Sequence, residues 1–572
     1  MARTSVDDDA TVPHEDEQGL LKKTSTRVED TSYVGGVPNL WHPSHIGLMI
    51  TYAGVGVLHG AFPRTVYPFF RNYLNMDGYQ VAACTSIIDM AWSFKVFFGL
   101  VSDSVPVWGY RRRPYVLLGW VISLAFMLHI ATTPAEAPYY IKGQILSVPD
   151  VQLRHVDNPH APADGTKYIL LLMGASMGYV MGDVACDAAM VELAQTERED
   201  VRGHTQSWSY IIKFVHYRID WIKVGLTGLP RYMFNSMATG VVGLVLNGPE
   251  YGGAFTWSIS FNALMWGLSG VVMTVLPAVF CFPDKLPPSV SPLGEKCREM
   301  YTVVTQRAIW QTMWFQYLNG FFLGFDAAPS SVVASDWAHV EPINDSIFSM
   351  ASTALMALGM YVTNRCFLDA DWRVLVGVTT VAIVALDSFV SALTIYDVVR
   401  NQWFYLGAPV LNNLPQGIRF VVSGFVIVEV ADMGHEGATY GLVTTVSNLA
   451  TPLASAASSF IDGFFHVYQA DIDSDTPPVR NRVAYTYAVA YAMKLTSLLT
   501  LILLPGQKRQ AQALKRDGGR YPWVGFWTLV VTGASLVAGV VTNLLAIVPA
   551  TACMKVAGGP GCSPKSSAFA GW

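Results

Sequence analysis

The chain has 572 residues, 52% of them hydrophobic and only 14% charged, with a mean hydropathy of +0.34 and a net charge of −5. A soluble protein carries about 25% charged residues, so the composition excludes an ordinary water-soluble globule, and the acidic balance lacks the basic footprint of a nucleic-acid binder. Most of the chain is expected to lie in a bilayer as helices, which satisfy their own backbone hydrogen bonds there.

In chain order, residues 1–43 read as a disordered, acidic cytoplasmic tail, rich in Asp, Glu, Ser and Thr. Within it, Asp16-Glu-Gln-Gly-Leu-Leu21 looks like an acidic dileucine sorting signal. No cleavable signal peptide is visible, so insertion is expected to rest on the first span. Apolar stretches of spanning length follow at Ile46–Phe70, Val81–Val101, Tyr115–Ala131, Tyr168–Met190, a long fifth region Trp208–Leu246, and Ala254–Phe282. The fifth region holds a charged, proline-broken stretch, and an insertion at about 216–232 is expected there, because such a stretch should not face lipid. A cytoplasmic linker (283–307) leads to six more stretches: Ala308–Val333, Ile347–Phe367, Arg373–Ile395, Val410–Val430, Ala438–Phe465 and Val483–Leu504. Residues 506–572 add a basic linker, an extra apolar span (Trp523–Val548) and a tail. The expected architecture is therefore all-α and polytopic: a six-helix half (44–282), a second six-helix half (308–505) and one further span.

Lys and Arg concentrate in alternate loops, which predicts that the Arg111–Arg113 loop, the central linker and Lys508–Arg520 face the cytoplasm. The halves share a pattern, since Asp103 and the arginines follow the second span and Asp369, Asp371 and Arg373 stand at the matching link of the second half. Cys84, Cys186 and Cys281 read as small core residues. Cys553 and Cys562 could form a disulfide if that end faces an oxidising compartment.

Ionisable groups inside a span are costly, so each is a candidate for function. Asp183 and Asp187 are four residues apart and share a helical face. Such a carboxylate pair can accept two hydrogen bonds from a planar amidine-like edge, or hold one proton, since like charges raise a pKa. A structural pairing with a basic residue is the alternative. Arg64 and Lys95 could meet an anionic substrate, or snorkel and pair respectively. Asn412, Gln416, Arg419 and Ser423 form one polar stripe on the tenth span, the pattern of a cavity wall. Asn319 and Asp326 in the seventh are seven apart, and interhelical hydrogen bonding is the alternative for them. Asp387 and Lys494 are lone intramembrane charges. Asp103, Gly109, Arg111, Arg112 and Arg113 sit at the membrane edge, where an ion pair across the loop would gate one access state. No metal-ligand spacing and no phosphate loop is present, so neither a cofactor nor ATP drive is expected.

Several stretches together resemble the folate–biopterin transporter family, a branch of the major facilitator superfamily. They are Gly99-Leu-Val-Ser-Asp103 with Gly109-Tyr-Arg-Arg-Arg-Pro-Tyr115, Gly182-Asp-Val-Ala-Cys-Asp-Ala-Ala-Met-Val-Glu192, and Asn247-Gly-Pro-Glu-Tyr-Gly-Gly253. The similarity runs over about Ser44–Pro505, and the fifth region departs from it. The resemblance implies a major-facilitator fold of two pseudo-symmetric halves and uptake of a small folate- or pterin-like molecule, with protons as the coupling ion. It also implies a multi-pass protein of the plasma membrane or an endomembrane such as the vacuole. A transporter of another metabolite (a nucleoside-like or sulfonium compound) and a non-transporting receptor on the same fold stay open.

Overall fold

The structure, a computed structural model, describes residues 33–34, 37–38, 42, 45–134, 136–141, 144–147, 153–195, 229–282, 284, 292–367, 370–430 and 436–562. Among these, thirteen long helical stretches follow one another: α1 (Ile46–Tyr73), α2 (Gly78–Ser104), α3 (Arg113–Thr132), α4 (Ala161–Gln195), α5 (Leu229–Val245), α6 (Phe261–Cys281), α7 (Arg307–Leu323), α8 (Pro342–Cys366), α9 (Trp372–Ile395), α10 (Gln402–Val430), α11 (Glu436–Asp462), α12 (Pro477–Thr496) and α13 (Pro522–Ile547). Eight of the helices are long and apolar enough to cross a membrane by length and composition alone. The fold is of the major-facilitator type. The face carrying Arg111–Arg113 is termed the basic face and the opposite one the far face.

Local chemistry sets many helix starts. Asp77 and Gln80 form a capping box at α2. Asp371 caps α9 by accepting from the backbone of Arg373 at 2.8 Å. Prolines open α8, α12 and α13, where a missing N–H costs nothing. Deeper in α1, Pro68 cannot donate back to Arg64, and the helix widens to a π form over Val66–Tyr73. Beyond α7 the chain widens in the same way over Val333–Trp337. In α2 a 3₁₀ turn over Ala91–Phe94 lies directly before Lys95.

Lipid removes most of the hydrophobic drive between helices, so close backbone approach does the packing. A Cβ on Gly119 of α3 would lie 2.5 Å from the Gly178 carbonyl oxygen of α4, and one on Gly178 would lie 2.6 Å from the Gly119 oxygen. Gly178→Val is therefore expected to cost about 1–3 kcal/mol or more. Gly267→Val, whose Cβ would meet nothing within 4 Å, should be near neutral. Thermal denaturation of the two detergent-solubilised variants separates them, and equal melting would show that the α3–α4 contact does not matter.

Two main cores form. One is drawn from residues 48–282 with Ala328, Ala546, Ile547 and Ala557, the other from residues 303–511. The basic ends of the two halves repeat one detail. Arg113 Nε donates to the Phe282 carbonyl at 2.7 Å, and Arg373 Nε donates to the Leu504 carbonyl at 2.7 Å. The first arginine of α3 thus ties down the end of α6, and that of α9 ties down the stretch after α12.

α13 packs in the groove between α2 and α11. Thr528 accepts from Trp314 Nε1 at 3.0 Å, and Ser535 pairs with the Tyr317 hydroxyl at 2.5 Å, both from α7. Its far end meets the other half, where Thr166 donates to the Ile547 carbonyl at 2.5 Å and Tyr79 to the Ala552 carbonyl at 3.1 Å. Cys553 and Cys562 are disulfide-bonded.

Several expectations need correction. Leu229-Pro230-Arg231 opens α5 rather than breaking a span, because proline is tolerated in a first helical turn; residues 216–228 of the expected insertion lie outside the described residues, as does Asp369. Cys281 is exposed, not core. The linker contains a helix, Leu293–Val304. Within the expected tail, Tyr33–Val34 pairs antiparallel with Val37–Pro38. The remainder of the tail, sorting motif included, is outside the described residues apart from His42.

Candidate functional site

α4 presents Asp183 and Asp187 on one face, and Lys95 arrives from α2 between them. Its Nζ lies 3.0 Å from Asp183 Oδ2 and 3.0 Å from Asp187 Oδ2. Asp183 is fully buried, whereas the Asp187 side chain keeps 19% exposure. Tyr52 of α1 donates to the second oxygen of Asp187 at 3.0 Å. Lys95 also lies over the Trp92 ring, 4.6 Å from its centroid. Trp92 in turn meets His59 and Tyr179 edge-on. Three candidate residues from two helices therefore converge on one point, with an aromatic wall beside it. Lys95 takes the pairing role that was its alternative reading, and its partners are the two candidate acids. Tyr52, Trp92, His59 and Tyr179 were not legible beforehand, since nothing in a one-dimensional pattern separates them from packing aromatics.

The second half holds a different arrangement. Arg419 bonds Asn319 of α7 and Thr380 of α9, and Asn319 donates to Thr500 at 2.9 Å. Ser423 donates to Gln316 at 3.4 Å. Half of the polar stripe, Arg419 and Ser423, thus stitches α10 to helices of its own half. Gln416 is exposed, while Asn412 is buried with an Oδ1 that meets no donor among the described residues. α7 ends at Leu323, so Asp326 does not share a helical face with Asn319. It pairs instead with Lys494 of α12 at 2.6 Å. Asp326, Asp387 and Lys494 line one cavity of about 210 Å³ with Tyr405, Tyr487 and Tyr491.

At the basic face, Arg112 Nη2 lies 2.9 Å from Asp103 Oδ1. The backbone N–H groups of Arg112 and Arg113 both donate to Asp284 Oδ2 at 2.9 Å. Val107 bridges to Tyr110 across Trp108 (φ 51°) and Gly109 (φ 80°), a turn with two left-handed residues. That geometry explains the glycine. Burial pushes the Arg112 guanidinium down to about 10, against the pull of Asp103. Arg113 rests over the Tyr110 ring at 5.1 Å, and Arg111 sits in the same loop. Asp103→Ala is expected to slow turnover about tenfold while substrate affinity changes little, because it removes a contact at the membrane edge rather than at the cavity. Lowered binding with turnover intact would contradict this.

The far face carries a cluster that sequence reasoning missed. Arg71, 2% exposed, pairs with Asp336 at 2.6 Å and bonds Ser335 at 3.0 Å. Both lie on the two π segments, one from each half. Arg154 stands 3.7 Å from Asp336, and Gln469 Nε2 donates to Asp336 at 2.9 Å. Gln469 N donates to Asp77 at 2.9 Å. About two helix turns away, Arg64 pairs with Asp345 across the halves at 3.2 Å. The halves are thus latched together at this face. A single arginine near a helix end carries no sequence signal, because its partner is 265 residues away.

Comparison with known proteins fits this geometry. The BT1 family matches residues 55–145, the stretch holding Lys95, Asp103 and the three arginines. A folate-biopterin transporter of Synechocystis sp. is 22% identical over 471 residues, 80% of each chain. The chain is related to the folate–biopterin transporters. A probable folate-biopterin transporter 4 of Arabidopsis thaliana is 24% identical over 127 residues, 22% of this chain and 20% of that one. Among solved structures, a D-xylose-proton symporter superposes with a TM-score of 0.53 over 81% of this chain and 98% of its own, at 9% identity, a likeness of fold alone. This folate–biopterin transporter relative is a multi-pass membrane transporter, not an enzyme.

Proposed function

We propose that the chain moves a folate- or pterin-like metabolite by alternating access between its two six-helix halves, driven by protons. The observation that carries this is the convergence of Asp183, Asp187 and Lys95 beside Trp92, Tyr52 and Tyr179. A pteridine presents a planar amino edge and an aromatic face. Asp187, the more exposed acid, would accept hydrogen bonds from that edge, and the ring would stack against the aromatic wall. Lys95 would release Asp187 as the substrate takes its place and keep Asp183, so that no buried charge is left unpaired. The Asp103–Arg112 pair at the basic face and the Arg71–Asp336 pair at the far face would open in alternation. The curated relatives, named as folate–biopterin transporters, support the same reading.

The test is uptake of radiolabelled folic acid and of biopterin into proteoliposomes, with and without an imposed proton gradient. Gradient-stimulated uptake of either, competed by the other, is expected. If neither compound is carried nor competes, the substrate assignment is wrong; carriage indifferent to the gradient removes the proton drive.

A further inference from the structure

We propose that the cavity in the second half is the proton site of this transporter, with Asp387 as the group that takes up the coupling proton. The inference rests on the proton-driven reading above and adds to it a location, separate from the substrate site.

Charge pairing distinguishes the membrane-embedded acids. Asp183 and Asp187 both hold Lys95 at 3.0 Å, so adding a proton to either must break an ion pair. Asp326 holds Lys494 at 2.6 Å under the same constraint. Asp89 lies within the field of Arg64. Asp462 is 2% exposed and accepts from the backbone of Ala328 at 2.7 Å, sealed from water. Asp387 combines two features: its hydrogen-bond partner is a neutral hydroxyl, that of Tyr491 at 2.9 Å, with Lys494 acting on it through space, and it lines an open cavity.

The groups facing Asp387 are Asp326 from the stretch after α7, Tyr405 from α10, and Tyr487, Tyr491 and Lys494 from α12. Two carboxylates and one ammonium leave one negative charge, which one proton cancels. A second observation points to an occupant. Tyr487 is 7% exposed, lines the same cavity, and its hydroxyl interacts with that of Tyr405 there. Two tyrosine hydroxyls that share one hydrogen bond keep capacity to spare, and a polar cavity beside them has room for a small polar guest. A proton arriving as hydronium passes from water to an Asp387 oxygen, and the water left behind can bond Tyr487. No heavy-atom bond changes. Neutral Asp387 then becomes a donor. Its attraction for Lys494 disappears, and Lys494 settles on Asp326. The cavity reaches four helical elements of one half, so the change in charge is felt by the half as a whole.

Two measurements test the site. Acid-induced infrared difference spectra of the full chain in liposomes read protonated carboxyl groups without any substrate. A carboxylic C=O band present in wild type and in Asp387→Glu should be missing in Asp387→Asn. Other acids contribute bands of their own, so the reading is the difference between variant and wild type; an unchanged spectrum in Asp387→Asn overturns the proposal. In proteoliposomes, Asp387→Asn should lose about tenfold in gradient-driven accumulation of folic acid or biopterin while substrate exchange without a gradient persists. Retained gradient dependence in the variant overturns this site but not the proton-driven reading. A wild type that carries substrate without regard to the gradient overturns both. If neither compound is carried, the substrate reading fails and the infrared result still decides the proton site. Asp387→Glu and thermal melting of each variant separate loss of the site from loss of the fold.

Discussion

Lys95→Met should all but abolish transport. The substitution keeps the length of the side chain and removes its charge, leaving fully buried Asp183 and nearby Asp187 without their shared cation. Stripping one partner from a buried ion pair costs about 3–5 kcal/mol. The two acids can reduce that cost only by taking protons, since like charges at this range cannot both stay ionised cheaply. The variant should therefore melt lower at neutral pH than wild type and recover in acid. Uptake should fall about 100-fold or more, because substrate and acids no longer meet in the right geometry. The double variant Lys95→Met/Asp183→Asn restores the balance of one charge and should regain much of the stability without regaining transport. The coupling between the two positions would then be read from the double-mutant cycle. Normal uptake per folded molecule in Lys95→Met would show that the triad is scaffolding and that the substrate binds elsewhere.

Arg71→Ala should unlatch the far face. Arg71 and Asp336 are 2% and 5% exposed, and the arginine also bonds Ser335 and the Met76 carbonyl. Without it, Asp336 keeps Gln469 at 2.9 Å and the more distant Arg154. A cost of about 3–5 kcal/mol falls on the closed state, enough to move an equilibrium between access states by about a hundredfold or more. A cysteine placed at Tyr67, one turn deeper in α1, should react with a membrane-impermeant thiol reagent far faster in the Arg71→Ala background. The charge swap Arg71→Asp with Asp336→Arg should slow it again. Equal reactivity in all three would mean that the pair fastens the helices without controlling access.

Acidity acts on the same latch. Burial, then the neighbouring Asp336, pushes Asp473 up to about 7. A carboxyl raised in this way keeps a proton in the closed state that a solvated one would release. The closed state is thus favoured in acid, and that contribution fades as pH climbs from the ordinary carboxylate range through about 7. Labelling at position 67 should rise over that interval in wild type and stay flat in Asp473→Asn.

Much of the architecture was legible in the amino-acid order because lipid enforces it. A span must be apolar and long, so spans announce themselves, and the paired Asp183 and Asp187 stand out against an apolar helix. The arginine loop was readable for the same reason. Partnership was not. Lys95 could be seen as a misplaced charge, but its companions lie on a helix that begins 66 residues later, and no local pattern names them. Arg419 shows the opposite failure. A polar stripe at helical spacing looks the same whether it faces a cavity or a neighbouring helix, and here Arg419 and Ser423 face α7 and α9. Asp387 and Lys494 looked like isolated charges; only the cavity joins them. The fifth span stayed obscure because charged residues interrupt the apolar run before it.

The α13 groove has a consequence for traffic from the bilayer itself. Two long contacts join the halves along their sides: α2 against α11, and α5 against α8, where Gly243 lies against Ser346. α13 covers the first and turns Trp523, Phe526, Trp527, Val537 and Val541 outward. An amphiphile dissolved among the acyl chains therefore meets two unequal walls. On one side an extra helix stands between it and the seam; on the other, no helix among the described residues covers the seam. Lipid, hydrophobic solute or an inhibitor that arrives by way of the membrane thus meets an added barrier on the α2–α11 side.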